Sequence, residues 1–525
     1  MSGANAGPLS MFGDFGFVGG HDPAPNPLQD VQLCINFYPE VDQQNPKEVV
    51  GLLGCPGLQE LCAAPGGGAP GFNSTMTQWP KPYSGPILSV RGLWELPNGI
   101  TALAVIGNTC YLVTVATPAT ASSFATLALS PVGTLKTSSG PVCIRDNNVG
   151  GYAVLVDGPF GYLYNLSTRA FTQITDPAFL GADTVAYIDG WWIFNQPGTQ
   201  TFYTNYPQYG TGFSGSYFAL KDAAADNLVA VFENKEELWL LGDKTTEIWY
   251  DAGGQYFPFQ RLVGTLIQSG CKAKHSVSRF YTEGQEGMIW FGRSERGENV
   301  IIRTRGFIDE VVSTVAFGDE VATYPITSDA IGYTYQEDTH EFYVLIFPTA
   351  DQTWVYDQQS GVLHKRLSYD PYAQAWHRHR SNCFMNFQGM RIVGDYQTGS
   401  LHWLTRTSYT DAGWPLLAKR RSPHLWDKGQ RGRVFAQSLQ LDFRVGVGNA
   451  SGLGSDPQAY LRISRDGGIS FGQAWPAPLG KIGERETRTM WRRLGMSRDM
   501  VFDVEVIDPV PRDLIGCTFK GFSAA

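Results

Sequence analysis

The feature of this sequence that most limits its possible folds is a recurrence. Seven stretches share one plan: an apolar strand, a tight turn, then a second strand rich in aromatic residues. They begin at Arg91, Gly140, Asp183, Asn227, Ser276, Asp329 and Asn382, at spacings of 43 to 53 residues. Turns fall at Gly107-Asn108, Asp157-Gly158 and Asp189-Gly190, residue types that tolerate the positive φ of tight hairpins. Runs such as Val344-Leu345-Ile346-Phe347 suit strands buried on both faces. A hairpin repeat of roughly 40–50 residues is the mark of propeller blades, each a four-stranded sheet. The expected fold is therefore all-β, a β-propeller of about seven blades.

Composition agrees. The 525 residues include 60 Gly and 31 Pro, and aromatic residues make up 13%. Many turns with many aromatics favour short antiparallel strands, and long helix-period segments free of Gly and Pro are absent. Residues 1–30 read as an irregular N-terminal arm. Residues 31–90 hold one strand (VQLCINFY) and a Pro/Gly-rich segment. Residues 91–414 are the propeller, and 415–433 read as a basic linker. Residues 434–525 read as a small C-terminal β-sandwich-like domain, with strands in VFAQSLQLDFRVGVG, AYLRISRDGGISFG and WRRLGMSRDMVFDVEVID.

Charge is unevenly spread. The net charge is −9, yet residues 415–525 carry 17 Lys/Arg against 11 Asp/Glu, which leaves −15 on residues 1–414. An acidic body does not wrap nucleic acid, because that binding neutralises phosphates. Residues 1–20 lack a basic start followed by an apolar run, and no run of eighteen apolar residues occurs; neither a secretory leader nor a membrane span is expected. The eight cysteines are scattered singly, without ligand spacing, so buried reduced thiols are expected and no metal.

The sequence offers little chemistry. There is no H-E-x-x-H and no phosphate loop with Lys; Gly66-Gly67-Gly68 reads as a turn. His377 and His379 share a face of one possible strand but lack a third ligand, and His340 and His364 stand alone. Glu236-Glu237 and Glu337-Asp338 read as solvated hairpin tips. Ser464-Arg465-Asp466-Gly467-Gly468-Ile469-Ser470-Phe471 resembles the Asp-box of sialidase-like propellers. Its Ser464, Asp466, Gly468 and Phe471 would build a structural turn, with the carboxylate accepting from turn amides. Lys419, Arg420 and Arg421, together with Trp491, Arg492 and Arg493, are candidates for a partner interface. No catalytic residue and no cofactor are expected.

Short motifs at both ends resemble the packaged-DNA stabilisation proteins of short-tailed bacteriophages, the tail-hub or tail accessory factor family. They are Ile35-Asn36-Phe37-Tyr38-Pro39-Glu40, Pro46-Lys47-Glu48 and Leu53-Gly54-Cys55-Pro56-Gly57-Leu58 near the start. Thr353-Trp354-Val355-Tyr356-Asp357 follows, then Leu461 to Gly467, Met490-Trp491-Arg492-Arg493-Leu494-Gly495 and Gly516-Cys517-Thr518-Phe519. The resemblance implies a homo-hexameric ring in the virion tail, assembled in the host bacterial cytoplasm. It implies the adaptor and portal ring, a tail needle or nozzle, and tailspikes or fibres as partners, with double-stranded DNA passing nearby without specific binding. It brings no catalytic residues. Two other readings compete. A glycan-hydrolysing propeller would need three arginines converging on a substrate carboxylate at the axis, and a virion-surface receptor-binding propeller would be monomeric or trimeric.

Overall fold

The computed structural model describes residues 9–13, 15–22, 31–41, 49–73, 75–120, 123–254, 257–282, 284–295, 297–427 and 432–524. The Pro46-Lys47-Glu48 motif lies outside these residues, as do parts of the 1–30 and 415–433 stretches.

Each recurrent unit is a blade. Blade 1 is Val90–Glu95, Thr101–Ile106, Thr109–Thr117 and Thr126–Thr134, and blade 2 runs from Cys143–Asp146 out to Phe171–Gln173. Blade 3 runs from Val185–Ile188 to Phe213–Leu220, and blade 4 from Leu228–Asn234 to Phe259–Arg261. Blade 5 runs from Ser278–Thr282 to Ile308–Val311, with Gly270–Cys271 beside its second strand, and blade 6 from Ile331–Glu337 to Val362–Lys365. The hairpin at Asp189-Gly190 has φ of 49° and 89°, the pair of positive values that a two-residue turn between right-twisted strands requires.

Blade 7 takes three strands, Ser381–Phe387, Met390–Asp395 and Ser400–Thr405, from the end of the repeat. Its fourth is Gly57–Ala63, antiparallel to Ser400–Thr405 with Leu58 opposite Leu404. The N-terminal segment therefore closes the propeller. The strand holding Cys34 goes elsewhere, as described below. The inner strand of blade 7 meets that of blade 1, where the Asn382 amide donates to the Val90 carbonyl at 2.9 Å. Gly67 follows the closing strand. A Cβ there would lie 2.1 Å from the Thr398 carbonyl oxygen, so glycine lets this turn pack against blade 7.

The propeller core lies between blades. Leu103, Leu155 and Tyr162 join blades 1 and 2, and Val156, Trp192 and Phe194 join blades 2 and 3. Similar clusters follow around the ring to Leu61, Ile106, Ile392 and Leu401, which join blade 7 to blade 1. Fully burying one such side chain contributes about 1.5–3 kcal/mol. Trp192, Trp239 and Trp290 fill the second strands of three successive blades at under 2% exposure. The α-helix Val315–Ala322 caps the seam between blades 5 and 6 with Phe317 and Val321.

The second domain is a sandwich of two sheets around Phe37, Leu439, Leu461, Trp491, Phe502 and Phe519. The first sheet orders Phe37–Val41, Val49–Gly54, Leu514–Ala524, Arg433–Phe443 and Thr489–Ser497, with Leu9–Gly13 also paired to Leu514–Ala524. The second orders Leu33–Ile35, Ala418–Arg421, Asp499–Val506, Gln458–Ser464 and Trp475–Pro478. Leu33–Ile35 also bridges the outer strand of blade 6 through Ile35 and Lys365. The second sheet is thus continuous with a propeller blade.

Three expected segments change character. The N-terminal stretch supplies the strand Leu9–Gly13 and the buried Phe17, rather than an irregular arm. Residues within 31–90 divide between the sandwich and blade 7. The 415–433 stretch is no linker: Ala418–Arg421 and Leu425–Trp426 are strands paired to Asp499–Val506. The physical reason is common to all three. Strands this short get their partners from the far end of the chain, and local composition records only their Gly, Pro and charge.

Candidate functional site

The seven inner strands surround an axial cavity of about 170 Å³, lined from every blade. Its charges are internally matched. Arg145 lies over the Trp94 ring at 4.4 Å and pairs with Glu233 at 3.3 Å, while Arg279 reaches the same carboxylate at 3.2 Å. Lys274 pairs with Asp183 at 2.6 Å, and the Trp94 indole donates to Asp146 at 2.7 Å. Arg91 is spent on backbone: its guanidinium donates to the carbonyls of Gly140, Gly107, Thr137 and Ser139 at 2.6 to 3.0 Å. The arginines near the axis hold blades together. A carboxylate-bearing substrate would have to compete with these bonds for them.

The larger polar region lies where blades 6 and 7 meet the sandwich. Asn36, fully buried at φ 56°, sits at its centre. Its side-chain amide donates to the Leu367 carbonyl at 2.8 Å and the Leu417 carbonyl at 2.7 Å, and its oxygen accepts from the Leu367 amide at 3.0 Å. One side chain thus ties the N-terminal segment to the exit of blade 6 and to the crossover into the sandwich. Nearby, His340 bridges two domains, with Nδ1 2.9 Å from Asp357 and Nε2 3.2 Å from Glu40. Burial alone would lower the imidazole pKa, but the Asp357 and Glu40 carboxylates outweigh it and raise the value. Tyr38 packs its ring on His340 and Phe342, and the buried Arg366 lies over Phe342 at 4.8 Å. Sequence reasoning gave His340 and Asn36 no role. The Ile35 to Glu40 motif was the available signal, since it carries Asn36, Tyr38 and Glu40 together.

A cavity of about 350 Å³ opens at the same junction. Its wall holds four guanidiniums, those of Arg391, Arg406, Arg444 and Arg512, and three carboxylates, those of Glu337, Asp338 and Asp513. Glu337 is not a solvated tip. It is buried and pairs with Arg391 at 2.8 Å. Burial pushes its carboxyl up against the pull of Arg391, Arg366 and Arg406.

The other residues singled out in the sequence fall as follows. Ser464 accepts from the Gly468 amide at 2.8 Å and donates to Asp466 at 2.6 Å, and Asp466 accepts from the Ser470 amide at 2.9 Å. The hydroxyls of Ser464 and Ser470 hold the exposed Asp466 carboxyl down at about 2. Phe471 lies under the Arg421 guanidinium at 4.4 Å. The basic run is not an open patch. Strand alternation places Lys419 and Arg421 beside Asp503, each at 3.0 Å, with Lys419 also 2.7 Å from Glu505. Arg420 is 1% exposed and donates to the carbonyls of Phe17 and Gly20, both at 2.6 Å. Trp491 is a core residue, 4% exposed, whose indole donates to the Trp475 carbonyl at 2.8 Å. Arg492 and Arg493 remain exposed on the edge strand Thr489–Ser497. His377 pairs with Asp351 at 2.7 Å, whereas His379 is buried against Ser381, so the two do not converge. Among the described residues no group of three His, Cys, Asp or Glu could hold a metal ion, and no helix is long and apolar enough to cross a membrane. Among the described residues no two cysteines form a disulfide.

Comparison with known proteins addresses both domains. The family model described as bacteriophage P22 Gp10, beta-propeller, matches residues 106–409, and that described as bacteriophage P22 Gp10, beta-sandwich, matches residues 419–521. No curated protein sequence matches the chain. Among solved structures, the N-terminal domain of Nup159 is similar at 10% identity and a TM-score of 0.37, covering 71% of this chain and 98% of that one. An exo-beta-1,3-galactanase from Phanerochaete chrysosporium is similar at 10% identity and a TM-score of 0.28, covering 85% and 99%. Likenesses this distant carry no argument about function. The two family models take in the propeller and the sandwich in order, and the chain belongs to the bacteriophage P22 Gp10 family of phage tail structural proteins.

Proposed function

We propose that the protein is a subunit of the phage tail hub. In this reading six copies form a ring in the virion tail, assembled in the host bacterial cytoplasm. The ring closes the portal and adaptor channel, retains the packaged DNA, and connects to a tail needle or nozzle and to tailspikes or fibres. The observation that carries the reading is the sheet continuous between blade 6 and the sandwich through Leu33–Ile35. A domain pair joined by backbone hydrogen bonds and by Asn36 resists hinge motion, which suits a plug that bears the pressure of packaged DNA.

Charge supports the same reading. Residues 1–414 carry −15 within a total of −9, and the basic run at Lys419 to Arg421 is consumed internally. An acidic body lets DNA pass without phosphate contacts that would slow it. Arg492 and Arg493, exposed on the free edge of the sandwich, are the partner-contact residues of this reading. The occupied axial arginines favour a structural over a glycan-hydrolysing role. The test is to assemble particles without the protein. They should fill with DNA and then lose it to nuclease. Full protection of the DNA in its absence would overturn the proposal.

A further inference from the structure

The junction cavity contains a charge its own wall does not satisfy. Three of its four guanidiniums are matched by carboxylates: Arg391 by Glu337 at 2.8 Å, Arg406 by Asp338 at 2.7 Å, and Arg444 by Asp513 at 3.8 Å. Arg512 is the fourth. It is 2% exposed, and one terminal nitrogen donates to the Leu416 carbonyl at 2.7 Å. Its Nε and its other terminal nitrogen have no partner. A buried guanidinium with two idle donors is costly, because charged groups lose more on desolvation than neutral ones. Burial lowers the Arg512 pKa to about 10, with Cys55 and Asp513 offsetting it only in part.

The backbone makes room for this arrangement. A Cβ on Gly54 would lie 2.8 Å from the Arg512 Cγ and 3.2 Å from its Nε. Glycine at position 54 therefore lets the side chain lie along the cavity wall. Glu337 also lines the cavity, with one carboxylate oxygen unpartnered. The unmet groups are thus two donors on a positive charge and one carboxyl oxygen. A hydrogen-bonding oxyanion meets both, accepting from Arg512 and sharing a proton with Glu337.

We propose that the junction cavity is a binding site for a single oxyanion, held by Arg512 from within and by Arg444 and Arg406 at the wall. Four guanidiniums against three carboxylates leave one positive charge, the complement of one anionic group. A volume of about 350 Å³ admits a phosphate with several waters, or the carboxylate of an acidic side chain. An occupied site would tie blade 6, blade 7 and the sandwich through one ion. The inference stands apart from the hub reading and uses none of its partners.

The test is calorimetric titration of the full chain with sodium phosphate and, separately, sodium acetate, against sodium chloride at equal ionic strength. Arg444→Gln is the informative variant, because Arg444 is 60% exposed and its loss leaves the core intact. The expected result is one site in the wild type, weakened about tenfold in Arg444→Gln, as for loss of one charge-assisted contact. Phosphate binding with acetate inert would identify a free phosphate-type ion as the source, and equal binding of acetate would identify an acidic side chain. No heat beyond that of chloride would mean that water alone fills the cavity, and would overturn the proposal. Equal affinity in wild type and variant would mean an adventitious ion only, bound elsewhere, and would overturn it too. Arg512→Lys, which keeps the charge but not the fork of donors, gives a second variant with the same expected direction.

Discussion

Replacing Asn36 by alanine removes three side-chain hydrogen bonds at once, to the Leu367 carbonyl, the Leu417 carbonyl and the Leu367 amide. The site is fully buried, so water does not replace them without opening the junction. Losing such a bond costs about 1 kcal/mol when the partner finds another, and up to about 3 when a buried donor is left alone. Alanine must also adopt φ 56°, a conformation Asn tolerates better because its short polar side chain bonds locally; this adds up to about 1 kcal/mol. The expected loss is about 3–6 kcal/mol. Asn36→Gly separates the two parts: it loses the same bonds but not the backbone strain, and should be about 1 kcal/mol more stable than Asn36→Ala. The backbone bonds of the residue, with the Lys365 carbonyl and the Cys55 amide, survive in both variants. The assay is urea unfolding followed by tryptophan fluorescence, with the slope compared between variants to check that one transition is measured. A loss under about 1 kcal/mol in Asn36→Ala, set against the values above, would refute the claim that this side chain clamps the two domains. Equal stability of the alanine and glycine variants would refute the strain argument.

Two other outcomes follow from the geometry. Trp491→Ala should cost about 3–5 kcal/mol by opening the sandwich core, whereas Arg492→Ser with Arg493→Ser should stay within about 0.5 kcal/mol each; similar losses in thermal unfolding would contradict the placement of Trp491 inside and the arginines outside. His340 gives the junction a pH dependence. Its folded pKa is raised, so its contribution is fully present below the ordinary histidine value of about 6.5 and is lost as pH rises through the higher folded value. The urea midpoint should therefore fall more between neutral and alkaline pH in the wild type than in His340→Gln, and parallel profiles would exclude His340 as the cause.

The propeller was legible in the sequence because its signals are local. Turns such as Asp189-Gly190 and apolar strands such as Trp191–Asn195 lie within a few residues of each other, and a hairpin records both. The ends of the chain were not legible, because their structure is made by distant partners. Gly57–Ala63 pairs with Ser400–Thr405, and Lys419 meets Glu505. A strand with Lys and Arg on one face reads as a solvated basic run unless the acidic strand beside it is known. Glu337 misled for a similar reason. It ends a strand next to a turn, a position that is usually wet, yet Arg391 from blade 7 covers it. The cavity and its unmatched Arg512 lie among residues from three separate parts of the chain, so no local pattern announces them.

The measurement that bears most directly on the tail-hub reading is the mass of the purified protein in solution, alone and with the adaptor–portal complex of its own phage. The account predicts a ring of six copies, formed alone or on the complex. A protein that stays monomeric and ignores the complex would contradict it.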